Sequence, residues 1–163
     1  MTRTLADYRQ IVERWVVPDY KGEPRPTARW ETARGAIDLE LYPGDAPLAG
    51  EDFVRTIPSG AIVGTQFTRV VADFVDQQET IRSGNTLRDE VNRHRLTRAN
   101  LAWATSGLDT GSPGYTLNHT PQPHNEGDFT SMGHVIRGMD AVDHIELGDR
   151  ILGARMLGGG SPR

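Results

Sequence analysis

The residues from Gln66 to Gln78 hold the most distinctive chemistry in the chain. They read Gln-Phe-Thr-Arg-Val-Val-Ala-Asp-Phe-Val-Asp-Gln-Gln. Strict strand alternation puts Phe67, Arg69 and Val71 on one side, so a guanidinium shares a face with apolar neighbours. Arg is seldom placed among apolar groups unless it is paired or used. Two readings stand level on these residues alone: a rim Arg held by a salt bridge, or a site Arg with Gln77 beside it.

Other reactive residue types give weaker patterns. His119 and His124 flank Thr120-Pro121-Gln122-Pro123, and His134 and His144 have no helical partner four residues away. A metal site needs further ligands in tight geometry, so loop or strand-surface histidines are the better reading and no metal is expected. No Gly-x-Ser-x-Gly elbow occurs. Thr110-Gly111-Ser112-Pro113-Gly114 breaks its spacing, and Pro113 would distort the turn. The Gly-rich stretches match neither a phosphate-binding loop nor a dinucleotide fingerprint, and no cofactor is expected. The acidic pair Asp89-Glu90 lies in a polar run with Arg88, Asn92, Arg93, His94 and Arg95, which reads as a solvated loop with local ion pairs.

The elements that must position Arg69 follow from periodicity. Thr4 to Val16 has apolar residues at helical spacing (Leu5, Tyr8, Ile11, Val12, Trp15, Val16), with Thr4 and Asp7 placed for a capping box. Pro18 and the run Lys21 to Pro26 then read as a linker. From Ala28 the period changes to two. Ala28–Thr32 and Ala36–Leu41 read as a hairpin that turns near Arg34-Gly35, with Ile37, Leu39 and Leu41 on one face and Asp38 and Glu40 on the other. Pro47 starts a helix through Leu48–Ile57, which Pro58 and Gly60 end. Short strands follow at Thr65–Val71, Phe74–Glu79, Asn100–Thr105, Gly114–Asn118 and Gly133–Arg137. A helix at Met139–Leu147 and a strand at Ile151–Leu157 close the chain. Many short strands with few helices indicate an antiparallel sheet closed on itself, or a sandwich.

The chain has 163 residues, 36% of them hydrophobic and 25% charged, which suits one globular domain with a small extra segment. The net charge is -4, which gives no bulk electrostatic grip on nucleic acid or an anionic membrane. No apolar run approaches the roughly 18 to 20 residues of a membrane span. Residues 1–20 carry Asp7, Glu13 and Arg14 and lack a secretory apolar core. The compartment stays open. A cytoplasmic location is slightly favoured, and a periplasmic one fits a domain cut from a precursor. With no cysteine, disulfides and thiol chemistry are excluded.

Several segments in order resemble the cyclophilins, a family of peptidyl-prolyl cis-trans isomerases. The resemblance runs from about Ala33 to Leu157. It is carried by Arg34 to Pro47, by Asp52-Phe53-Val54, by Phe67-Thr68-Arg69-Val70-Val71 with Asp73-Phe74-Val75-Asp76-Gln77, by Leu101-Ala102-Trp103-Ala104, and by Gly133 to Asp143. Asp109-Thr110-Gly111-Ser112 is a looser match. The resemblance implies a mainly β fold: a closed eight-stranded antiparallel barrel capped by two helices, here with an extra N-terminal helix. It divides the chain into a helix and Pro-rich linker at 1–27, a cyclophilin-like domain at 28–157 and a flexible tail at 158–163.

The resemblance also implies a shallow groove for an X-Pro peptide or an unfolded protein. Arg69 matches the catalytic arginine, Phe74 an apolar wall of the proline pocket, and Gln77 the polar residue that orients the arginine. Ala104 and Thr105 match backbone-contacting positions. His124 and Phe129 match aromatic positions at the pocket. The departures erode that pocket. Thr68 replaces a usual His, Gln78-Glu79 a Gly-Gly pair, and Asn125 a Leu. The expected Ser-Gln-Phe-Phe reads Pro113-Gly114-Tyr115-Thr116. Thr116 thus stands in place of a floor phenyl, and Tyr115 or Phe129 could refill the space. Two functions follow. One is an Arg69-assisted isomerase of reduced activity that binds substrate through Phe74, Gln77, Ala104, Thr105, Tyr115, Thr116, His124 and Phe129. The other is a peptide-binding or assembly module with little turnover. The apolar face of the N-terminal helix must be buried by the barrel, by another domain or by a partner chain.

Overall fold

The computed structural model describes residues 3–81 and 86–159. The chain opens with helix α1 (Leu5–Ile11), a wider π-type turn at Val12–Val16 and α2 (Val17–Tyr20). The capping box expected at Thr4 and Asp7 is present. The helix does not stop at Pro18: Val16 and Val17 keep helical backbone angles, and the wider turn just before the proline, in which the Val17 N–H reaches back to the Val12 carbonyl, accommodates it. The rest is β1 (Thr27–Thr32), β2 (Gly35–Leu41), α3 (Pro47–Thr56), β3 (Phe67–Val71), β4 (Val75–Gln78), β5 (Asn100–Trp103), β6 (Tyr115–Asn118), β7 (Ser131–Arg137), α4 (Met139–Asp143) and β8 (Ile151–Gly158). Gly158 thus ends a strand, and the remainder of the expected tail after Gly159 lies outside the described residues.

The eight strands form one sheet in the order β3-β4-β6-β5-β7-β2-β1-β8, antiparallel throughout. The sheet curls until its edges meet. There the N–H of Phe67 donates to the carbonyl of Asp149, that of Gly148 to Phe67, and that of Ile151 to Thr65. Closure leaves few unpaired edge groups. Inside lie Ile37, Leu39, Leu41, Leu101 and Leu117, and an aromatic cluster in which Tyr115 meets Phe53 at 5.1 Å and Trp103 at 5.8 Å. Phe53 comes from α3, which places that helix as a plug against the barrel interior. Asp38 is also buried, on the other face of β2, because Arg29 grips both its oxygens at 2.5 and 2.7 Å. Gly138 precedes α4 at φ 90°, and a Cβ there would run into the carbonyl of Ala36, so the turn requires glycine.

The N-terminal helix packs on α3 and buries Ile11 and Trp15; the Trp15 Nε1–H donates to Glu51 of α3, and Arg3 pairs with Asp52 of the same helix. Leu5 and Tyr8 of the same stripe stay exposed.

Candidate functional site

The site is built by one row of cross-strand neighbours. Arg69 on β3 faces Gln77 on β4, Gln77 faces Thr116 on β6, and Thr116 faces Ala102 on β5. Residues directly opposite in a sheet share a face, so all four side chains emerge on the outside of the barrel. The next row adds Val75 and Asn118. The intervening residues Asp76, Leu117 and Leu101 turn inward and are buried.

A bulge aims Arg69. Phe67 pairs with Gln78 and Arg69 with Gln77, so Thr68 is an extra residue in β3. Phe67 therefore points into the core while Arg69 is exposed on the outer face. Uninterrupted alternation predicts these two on the same side, and the bulge overturns that expectation. The guanidinium carbon then lies 5.4 Å from the centre of the Phe74 ring, within cation–π range.

Around these rows lies a cavity of about 90 Å³. Arg69, Phe74, Gln77, Ala104, Thr105, Thr116 and Phe129 line it, as do Val75, Leu96, Ala102, Asn118, Gln122 and Asn125. Phe74 and Phe129 supply aromatic surface. The far side is polar: Thr116, Asn118, Gln122 and Asn125. Two of these form a brace. The Asn125 Nδ2–H donates to Gln122 Oε1 at 2.9 Å, and the Gln122 Nε2–H donates to the Phe74 carbonyl at 3.0 Å. Thr116 Oγ1 makes only a long 3.4 Å contact to the Ala102 carbonyl. Asn118 is 1% exposed, and its side-chain nitrogen has no partner among the described residues.

Two expected site residues lie elsewhere. Tyr115 is 1% exposed and packs among Trp30, Phe53 and Trp103, because it alternates with Thr116 and so faces the barrel interior. It cannot refill the cavity. Burial also pushes its phenol well above the usual tyrosine range. His124 is exposed and does not line the cavity; it stacks on Phe74 with ring centres 5.8 Å apart, at the rim. Gln77 neighbours Arg69 across the strands, but no hydrogen bond joins them among the described residues.

Val75, Leu96, Ala102, Asn118 and Gln122 also line the cavity, and the sequence does not single them out. Asn118 carried a usable signal, since it lies two residues beyond Thr116 on the same strand face. Leu96 and Gln122 come from loops and carried none. The acidic pair also differs from its reading as solvated. Glu90 is largely buried, and its carboxylate accepts the N–H groups of Leu48 and Ala49 in the first turn of α3 at 2.9 Å each. Burial raises its carboxyl against the pull of those two donors.

Residues 27–156 match the family of cyclophilin type peptidyl-prolyl cis-trans isomerases/CLD. A peptidyl-prolyl cis-trans isomerase of Helicobacter pylori is 34% identical over 131 residues, covering 74% of this chain and 80% of its own. Peptidyl-prolyl cis-trans isomerase B of Bacillus subtilis is 32% identical over 130 residues, covering 75% and 91%. Among solved structures, a cyclophilin type isomerase of Cryptosporidium parvum superposes with a TM-score of 0.75 at 18% identity, over 82% of this chain and 98% of that one. The same isomerase in the presence of the dipeptide Ala-Pro gives a TM-score of 0.72 at 18% identity, over 78% and 96%. The chain belongs to the cyclophilin-type peptidyl-prolyl cis-trans isomerases.

Proposed function

We propose that the outer cavity is where this chain binds X-Pro peptides and turns the prolyl bond, without covalent chemistry and with Arg69 as the electrostatic catalyst. The observation that carries this reading is the row Arg69–Gln77–Thr116–Ala102 opening onto a cavity walled by Phe74 and Phe129. The solved relative in the presence of Ala-Pro supports the ligand class.

Rotation about an X-Pro bond faces a barrier of about 18–20 kcal/mol, because amide resonance must be broken. In the twisted state the prolyl nitrogen regains its lone pair and becomes a hydrogen-bond acceptor. A fixed cation at the cavity mouth stabilises that state more than the planar one, and only such differential binding raises the rate. The Phe74 ring holds the guanidinium at the mouth. The walls grip the pyrrolidine while the preceding carbonyl swings. No proton need be transferred.

Turnover is lower than in a relative whose pocket floor carries a phenyl ring. Thr116 forfeits roughly 1–3 kcal/mol of apolar contact with the ring. Arg69→Ala should lower kcat/KM at least a hundredfold in a prolyl-peptide exchange assay while peptide binding persists. Equal turnover in both proteins would remove Arg69 from the mechanism. Binding without turnover in the wild type would make the domain a peptide-holding module, the use its polar floor favours second.

A further inference from the structure

We propose that this cavity selects a prolyl ring bearing a hydroxyl on Cγ, a 4-hydroxyprolyl residue, over plain proline, with Asn118 as the specificity-determining residue. The inference rests on the isomerase reading for how the ring enters, and adds which ring the cavity fits.

The geometry is simple. The prolyl nitrogen and Cα belong to the peptide backbone, so they stay at the mouth beside Arg69. Cγ lies across the ring from the N–Cα bond and becomes the deepest atom. What it meets is the Thr116–Asn118 face of β6. That face is not apolar. Asn118 is 1% exposed, yet its side-chain nitrogen finds no partner among the described residues. Gln122 and Asn125, in the same cavity, satisfy each other and the Phe74 carbonyl. The Asn118 amide is therefore, among the described residues, the buried lining group on this face left to bond a ligand. A Cγ hydroxyl can accept from that amide and donate to Thr116 Oγ1, whose contact to Ala102 is only a long 3.4 Å. Plain proline offers that amide no partner and leaves it as it is in the free protein, buried and unbonded. A site built to bond a hydroxyl disfavours the analogue that lacks it.

The test uses the whole chain and four tetrapeptides that differ only in the ring: proline, the two 4-hydroxyproline epimers, and 4-methylproline. Affinity is read from chemical-shift titration and turnover from exchange spectroscopy. One hydroxyproline epimer should bind at least tenfold more tightly than proline, with 4-methylproline showing no such gain. Asn118→Leu should bring the hydroxyproline-to-proline ratio to one or below, and Thr116→Val should reduce it severalfold should the first variant fold poorly. A wild type that binds all four alike, or gains as much from the methyl group, overturns the inference while leaving the isomerase reading intact. The stated preference in binding with no exchange on any peptide does the reverse. Failure to bind any of the four defeats both.

Discussion

Arg69 is exposed, yet it is aimed: the Thr68 bulge turns it onto the cavity face and the Phe74 ring lies under its guanidinium. On the proposed reading, a cation in that position acts on the ligand rather than on the fold. Thr116 is the counterpart on the opposite wall, a small polar residue at the position where, on the same reading, a prolyl ring would gain most from apolar contact. Thr116→Phe should raise kcat/KM for plain Ala-Pro peptides about tenfold, the equivalent of 1.4 kcal/mol of restored contact. Exchange spectroscopy reads this directly, and an unchanged or lower rate would show that the floor is not what limits turnover. At this scale the sequence was informative where chemistry is local. An Arg among apolar residues, a Phe five positions on and a Gln three further identify one another. It was misleading where only phase separates two outcomes. Tyr115 and Thr116 are adjacent, and a shift of one residue exchanges core for cavity.

The elements hold these residues through contacts distant in sequence. Glu90 reaches α3 from the loop between β4 and β5, bonding Leu48 and Ala49, and its own N–H donates to Thr130 Oγ1. The same loop brings Leu96 to the cavity, where the Leu96 carbonyl accepts the Gln122 N–H. Glu90→Ala removes two charge-assisted bonds and the helix cap, and should cost about 1–2 kcal/mol in urea unfolding. KM for prolyl peptides should rise more than kcat falls, because the wall moves and the cation does not. A stability loss with unchanged KM would separate the loop's fastening from the site. The sequence reads Glu90 as solvated because its partners are backbone N–H groups on a helix some forty residues earlier. The strands and α3 were legible, since their periods are set by residues that touch the core. The extension of the N-terminal helix through Pro18 was not, because a proline ordinarily ends or kinks a helix and nothing in the sequence marks the wider turn that accommodates it here.

Across the whole molecule, one buried acid sets a pH dependence. Asp76 lies on β4 between Val75 and Gln77 but faces the opposite way, fully buried. Its carboxylate is 2.9 Å from His119 Nε2, poorly aligned for a hydrogen bond; His119 Nδ1 lies 3.4 Å from Asp143, and Asp143 pairs with Arg98 at 2.6 Å. Burial raises the Asp76 carboxyl to about 6, against the pull of His119, whereas Arg98 holds the Asp143 carboxyl below its usual range. Folding therefore favours the protonated form of Asp76. Its contribution is fully present below the unfolded value near 3.8 and is lost as pH rises through about 6. Asp76→Asn should be more stable than the wild type at pH 8, by roughly 1–3 kcal/mol, with the gap closing toward pH 4. Urea unfolding at both pH values measures it; a wild type more stable than the variant at pH 8 would mean that the His119 contact outweighs burial.

The sequence by itself determined which residues alternate, where turns and helix starts fall, and that a lone Arg stands beside aromatic and amide groups. These are short-range matters of sterics and period. The tertiary structure decided which face each strand shows. A single extra residue at Thr68 reverses the side on which Arg69 emerges, and the pairing of β4, β6 and β5 gathers Gln77, Thr116 and Ala102 into one row. It also decided that the Asn118 side-chain nitrogen lies buried with no partner among the described residues and that Tyr115 belongs to the core. Such outcomes depend on register between segments far apart in the chain, and register is fixed only when the barrel closes.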